Sequence, residues 1–401
     1  MLVMTSLSAC APGSTGPTTT TQQGPVKIGV SLPFTGDGSA DGKSTQQGYD
    51  VWADMVNKSG GLLGHQVQMV YYDDKTKTDQ SHTNYEKLIS VDHVNFVVGP
   101  VFDNLTVTGA EVAARHQYAF IEGIGTSPST FSHGFTNLFS VSLSATKYLA
   151  SFVDYVLSLP AALRPKTVAY ASSDDPFTGP QVETARPLLE AGGVKTALYD
   201  IYPAETTDYA SIAQKVVAAN PDMVVLGTNA VTDSTAFIKA FIQQHFNPKL
   251  IIATSGPDQG DAFASVIGPK NTEGLIVPND GWWPTAKTFQ NTEFVKAFVA
   301  KYGGTPDAIG SDSVQAFSVG QTLQQAVNKA QSLDNAQVMH ALRNNTFQSL
   351  QGTVKFGADG QNTADVAYMF QWQGGKLVPV FPNDQAQANA EYPKPAWAAG
   401  S

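Results

Sequence analysis

The side chains that could do chemistry in this chain are carboxylates, glycines and small hydroxyls, because its 401 residues carry 34 Asp and Glu but only seven histidines and one cysteine. The run Gly36 to Ser44 ends in Gly42-Lys43-Ser44, as a phosphate-binding loop would. That loop needs four residues between its glycines, whereas Gly38 leaves three and Gly36 leaves five, and Asp37 and Asp41 would repel a triphosphate. Gly123-Ile124-Gly125 opens like a dinucleotide fingerprint, but Pro128 stands where the third glycine belongs. No G-x-S-x-G elbow and no H-E-x-x-H occurs, and His65, His82, His93, His116, His133, His245 and His340 have no metal-ligand spacing. A hydrolytic pair of Asp41 and Asp103 lacks a base with a visible orienting partner. The sequence therefore predicts no enzyme, no cofactor and no metal, and its polar side chains suit the holding of a small molecule.

Length and composition say what must position those residues. A chain of 401 residues, 42% of them apolar and 10% aromatic, exceeds what one core serves and predicts two lobes. Charged residues are only 14%, and the net charge of −10 without a basic cluster excludes nucleic acid as a partner. No apolar run reaches the ~18 residues of a membrane span.

From Val26 onward, apolar β-runs alternate with segments of helical period. The expected strands are VKIGVSL, HQVQMVYYDD, NFVVGP, YAFIEG, NLFSVSL, KTVAYASS, KTALYDIYP, MVVLG, KLIIATS and GLIVP. Uninterrupted apolar runs such as Met223–Gly227 suit strands covered on both faces. Tyr49, Trp52, Met55 and Val56 fall on one helical face, as do Phe237, Ile238, Phe241 and Ile242. Such βα alternation implies parallel sheets flanked by helices, here two sheets of about five strands. Residues 291–343 then read as helical and 352–382 as antiparallel strands, so the chain crosses between lobes more than once. The expected division is 26–143 with 279–353 in one lobe, 144–278 with 354–385 in the other, and a tail over 386–401.

The N-terminus carries its own signal. Leu7-Ser8-Ala9-Cys10 resembles the bacterial lipobox, and the Pro/Gly/Thr/Ser stretch over 11–25 reads as a flexible tether. A diacylglycerol on Cys10, after a short signal over 1–10, would hold the chain at a membrane surface without spanning it.

With these features in view, residues 26–385 resemble the leucine/isoleucine/valine-type solute-binding proteins of ABC importers. The resemblance rests on VKIGVSLPFTG with Gly42 and Gly48, Asn57-Lys58-Ser59-Gly60-Gly61-Leu62-Leu63-Gly64, Tyr71-Tyr72-Asp73-Asp74, Val97-Val98-Gly99-Pro100, Gly125-Thr126-Ser127-Pro128, Asn220-Pro221-Asp222, Glu273-Gly274 and Lys301-Tyr302-Gly303. It implies a type I periplasmic binding fold, two doubly wound α/β lobes joined by crossover hinge strands, with a solute clamped by hinge closure. It further implies permease subunits as partners, a monomer, and a place outside the cell at the cytoplasmic membrane's outer face or in the periplasm. Independently, ligands in α/β sheets sit beyond the carboxyl ends of strands, so the loops after Leu32, Gly99, Gly123, Ser173, Gly227 and Ser255 are the expected walls.

Carried over by resemblance, the ligand residues are Asp41, Asp103, Ile124, Gly125, Thr126, Phe177, Asn229, Ala230 and Ser255; Phe177 or the pair Trp282-Trp283, near an expected crossover, is the expected apolar or stacking wall. Asp103 stands where the family's carboxylate-holding serine would be, and Ser255 where its ammonium-holding acid would be. An aspartate at contact distance would repel a ligand carboxylate by a few kcal/mol (about 4 at an effective dielectric near 20). The expected solute is polar but not anionic: cationic, or rich in hydroxyls or amides. Structural roles stand beside these: Asp103 as a helix N-cap, Asp41 as a solvated loop residue, one tryptophan packed in the hinge, and Asp73 and Asp74 as turn or cap residues. A ligand-sensing receptor domain is the alternative function.

Overall fold

The computed structural model describes residues 24–398. Cys10, the lipobox and most of the tether lie outside the described residues. Two sheets organise the rest. The first is parallel, in the order β2(Val67–Asp73), β1(Val26–Leu32), β3(Phe96–Val98), β4(Phe120–Glu122), β5(Leu138–Ser140). The second is mixed. β7(Lys195–Pro203), β6(Thr167–Asp174), β8(Met223–Gly227), β9(Leu250–Ala253) and β10(Ile276–Asn279) run parallel, and β13(Tyr368–Gln373) and β14(Lys376–Phe381) close it antiparallel.

The uninterrupted apolar runs have the cause that their composition suggests. In β3, Phe96 and Val98 face one core and Val97 the other. In β8, Val224 and Leu226 face one core while Met223 and Val225 face its opposite. Side chains alternate across a strand, so a sheet covered on both sides needs an apolar residue at every position. Helices α1(Ser39–Lys58), α2(Thr78–Ser90) and α3(Asp103–Arg115) follow strands of the first sheet, and α10(Asn291–Tyr302), α11(Ser311–Ala330) and α12(Asn335–Asn344) return to that lobe. Between α3 and α10 come the short α4(Pro128–Ser132), then α5(Ala150–Ser158), α6(Thr178–Ala191), α7(Tyr209–Ala219), α8(Val231–Gln243) and α9(Asp261–Ile267) of the second lobe. Helices α1 and α11 pack tightly: a Cβ on Gly48 would meet the Ser313 carbonyl at 2.1 Å and one on Gly320 the Trp52 ring at 2.3 Å.

The chain passes between the lobes three times: after β5, after β10, and between β12(Gly352–Val354) and β13. β12 pairs with β11(Phe347–Ser349), and Phe347, Leu350 and Val354 sit in the first lobe's core. The crossings are tied to one another. Gln351 Nε2 donates to Ser142 Oγ (3.3 Å) and to the Asp280 carboxylate, Gln315 Nε2 donates to Asp280 Oδ2 (3.1 Å), and Asn362 Nδ2 donates to the Val141 carbonyl (2.9 Å).

The Ala/Asn/Gln/Pro-rich segment after Phe381 forms no helix or strand, and its described part, through residue 398, lies along the second lobe. The amides of Glu391 and Lys394 donate to Gln371 Oε1 (2.7 Å) and the Lys249 carbonyl (2.8 Å), and Trp397 Nε1 donates to the Phe246 carbonyl (2.7 Å). Tyr392 and Trp397 pack against the two cores of that lobe, and composition averages conceal two such anchors among polar residues.

Candidate functional site

The strand ends of the two sheets face one another across a narrow cleft. Each expected loop contributes: Asp41 from α1 after β1, Phe102 and Asp103 after β3, Ile124 after β4, Phe177 after β6, Asn229 after β8, and Ser255 and Asp258 after β9. Tyr148 and the start of α11, with Ser311, Asp312 and Gln315, complete the wall. The lobes touch through that helix start. Gln259 Nε2 donates to Ser311 Oγ (2.8 Å) and Asp312 Oδ1 (2.9 Å), and the Ser311 amide donates to the Asp258 carbonyl (3.1 Å).

Of the sequence-derived residues, Asp41, Asp103, Ile124, Phe177, Asn229 and Ser255 line the cleft together. Gly125, Thr126, Ala230, Trp282 and Trp283 do not. The Gly125 amide donates to Glu122 Oε2 (2.6 Å), and a Cβ there would meet the Thr106 side chain at 2.3 Å, so Gly125 serves close packing. Thr126 is buried behind it. Ala230 precedes α8, where Asp233 accepts the amides of Asn229 (2.8 Å) and Ala230 (3.1 Å). Trp282 Nε1 donates to Asn291 Oδ1 (2.7 Å) and its ring meets Phe294 edge-on. Trp283 packs against Tyr368 and Phe370. Both tryptophans border a second cavity that shares Asp258 and Ser311 with the cleft.

Two structural roles are corrected as well. Asp103 is not the cap of α3 but its first residue. Phe102 precedes it at φ 69°, ψ 145°, a backbone region sparse for any residue with a Cβ. That turn swings the Asp103 carboxylate sideways, where Oδ1 accepts the Ser127 amide and Thr130 Oγ1, both at 2.7 Å. Asp41 is not a solvated loop residue but lies buried in the first turn of α1. Asp73 and Asp74 act as turn residues: Asp73 Oδ1 accepts the amides of Phe34 (3.0 Å) and Lys75 (2.9 Å), and Asp74 Oδ1 that of Thr76 (2.9 Å).

The electrostatics of the cleft are one-sided. Asp41, Asp103, Asp258 and Asp312 line it without a lysine, arginine or histidine. Burial penalises the charged form, so Asp41 is pushed up to about 8, with Asp233 and Asp258 adding like-charge repulsion against the pull of backbone amides that include Val231. Burial raises Asp103 to about 6, its hydrogen bonds from Ser127 and Thr130 limiting the rise. Asp312 and Asp258 are raised too, by burial first and then, for Asp312, by Asp41 and Asp258. Beneath the cleft floor Glu122, which accepts the Ile124 and Gly125 amides, is pushed by burial up to about 8.

A family model described as periplasmic binding protein matches residues 25–376, nearly the whole described chain. The chain belongs to the periplasmic binding protein family. This binding protein is similar to Leu/Ile/Val-binding protein homolog 7 of Brucella melitensis, at 23% identity over 92% of this chain and 94% of the relative, and to homolog 8 of the same organism, at 24% over 92% and 93%. Among solved structures it shares its fold with a branched-chain amino acid transporter substrate-binding protein of Streptococcus pneumoniae in complex with isoleucine (TM-score 0.76, 19% identity, 92% of this chain, 100% of the other). It also shares it with an ABC transporter solute-binding protein of R. palustris in complex with benzoate (TM-score 0.75, 20% identity, 93% and 98%). The family is one of extracytoplasmic solute-binding proteins rather than enzymes, and no helix among the described residues is long and apolar enough to cross a membrane.

Sequence reasoning missed Tyr148, Asp258, Ser311, Asp312 and Gln315. The last three open a long helix after Gly310, and the polar run Ser311-Asp312-Ser313 directly after that glycine was the available signal. Tyr148 carried none; its ring lines the cleft and packs edge-on against Phe177, with centroids 5.5 Å apart.

Proposed function

We propose that this binding protein captures a polar, non-anionic small solute between its lobes and hands it unchanged to the permease of an ABC importer. In this reading it is held at the membrane's outer face through a lipid on Cys10. The observation that carries it is the cleft itself: strand-end loops of both lobes converge on one space whose charged lining is entirely carboxylate. The S. pneumoniae and R. palustris neighbours were solved with isoleucine and benzoate, each of which bears a carboxylate. Asp103 and its neighbours would repel such a group, while Phe102, Tyr148 and Phe177 offer an apolar wall. Ser255 also leaves the α-ammonium of an amino acid without the acid that the family resemblance would lead one to expect.

The decisive experiment is mass spectrometry of solute released from natively purified protein, with a thermal-shift screen. A solute that binds only the closed form raises the melting temperature once it exceeds its Kd. Recovery of an intact non-anionic molecule supports the reading. Recovery of leucine, or conversion of the bound molecule into a product, sinks it. Acyl labelling of Cys10, abolished by Cys10→Ala, tests the anchor.

A further inference from the structure

We infer that the solute is an organic cation without a carboxylate, an alkylammonium or guanidinium compound whose N–H groups are received by Asp41, Asp103 and Asp312. This deepens, and rests on, the clamp reading above. The three carboxylates come from three elements of one lobe, α1, α3 and α11, and are 3%, 3% and 5% exposed. In each, one oxygen, Oδ2, is buried with no hydrogen-bond partner. Asp103 and Asp312 are each fixed through the other oxygen, by Ser127 and Thr130 and by Gln259 respectively. Each is therefore oriented by the protein and left with an acceptor unused.

A buried carboxylate oxygen without a donor is costly, and folded proteins pair such groups. Here no basic side chain lines the cleft, and the surface ion pairs of the described chain involve none of these three residues. The missing donors and the missing positive charge are what an organic cation brings. A compact metal ion fits less well, because among the described residues no three His, Cys, Asp or Glu side chains are grouped so as to share one. The aromatic rings of Phe102, Tyr148 and Phe177, which line the same cleft, suit a cation with an alkyl or planar body. Burial holds part of the acid cluster protonated when the cleft is empty, so a cation should release protons as it binds.

The test uses the full chain, freed of endogenous solute by unfolding and refolding, with calorimetry and thermal shift at pH 8. The probes are agmatine, putrescine, arginine, leucine and benzoate. Agmatine and arginine share a guanidinium and differ by a carboxylate, so agmatine or putrescine should bind, and agmatine at least about tenfold more tightly than arginine. Asp103→Asn and Asp312→Asn should each weaken the cation about 30-fold or more, while the unliganded melting temperature stays level or rises. Tighter binding of leucine, benzoate or arginine than of agmatine and putrescine overturns the cation inference and leaves the clamp standing. Binding of either amine that both Asn variants leave unchanged also overturns it. If no probe and no extracted solute binds or compacts the molecule in solution scattering, the clamp reading fails and takes this inference with it.

Discussion

The hydroxyl of Thr126 is buried with no hydrogen-bond partner, behind the wall of Ile124 that faces the cleft. A buried polar atom that makes no bond costs about 1–3 kcal/mol, so Thr126→Val should stabilise the chain by about 1 kcal/mol in urea unfolding and leave solute affinity within twofold. A loss of affinity beyond tenfold would show that the solute reaches behind Ile124. Identity alone assigned Thr126 to the site, because the family pattern records a type at a position and not the depth at which a side chain sits. The reverse happened at Asp103. A preferred capping type at a helix start read as a cap, and the positive φ of Phe102 turned the carboxylate to Ser127 and Thr130 instead.

Among the elements, α1 and α11 approach as closely as they do because two glycines face the partner helix. Gly48→Ala would drive a methyl into the Ser313 carbonyl and should cost about 1–3 kcal/mol, read as a lowered urea midpoint at unchanged slope. Because Asp41 and Asp312 open these same two helices, the variant should also loosen solute binding. At the far end, Trp397→Ala should release the C-terminal strap and cost about 1–3 kcal/mol, with proteolysis beginning after Phe381. The long helices and the continuous strands were legible from periodicity, since each repeats one burial choice many times. The partner of β12 was not: antiparallel character was readable in 352–382, but Gly352–Val354 pairs back to Phe347–Ser349 in the first lobe while β13 and β14 join the second sheet.

For the molecule as a whole, the buried acids couple pH to stability and to opening. A carboxyl whose pKa is higher folded than unfolded stabilises most below its unfolded value, near 3.8, and loses that contribution as pH rises through its folded value. With Asp103 near 6 and Asp41 near 8, the empty protein should become progressively less stable from about pH 4 to pH 8, read as a falling melting temperature. Ionised Asp41 also repels Asp233 and Asp258 of the other lobe, and Asp103 repels Asp175, so solution scattering of the empty chain should show a larger radius of gyration at pH 8.5 than at pH 5.5. A flat pH profile would mean that these acids stay solvated. Three crossings bound together by Asp280, Gln351 and Ser142 give the hinge about which such opening would turn.

Sequence by itself determined the strand and helix order, the presence of two α/β lobes and the loops that face the cleft, because burial period and punctuation are local properties of a chain. It also reached six residues of the cleft wall, those whose loops follow the strands in simple order. Tertiary structure alone decided that Asp312, Asp258 and Tyr148 join them, that Thr126 and Trp282 do not, and that Asp41 is buried rather than solvated. Those outcomes depend on where α11 and the second lobe come to rest, and the orientation of a side chain between two lobes is fixed by contacts hundreds of residues apart in the chain.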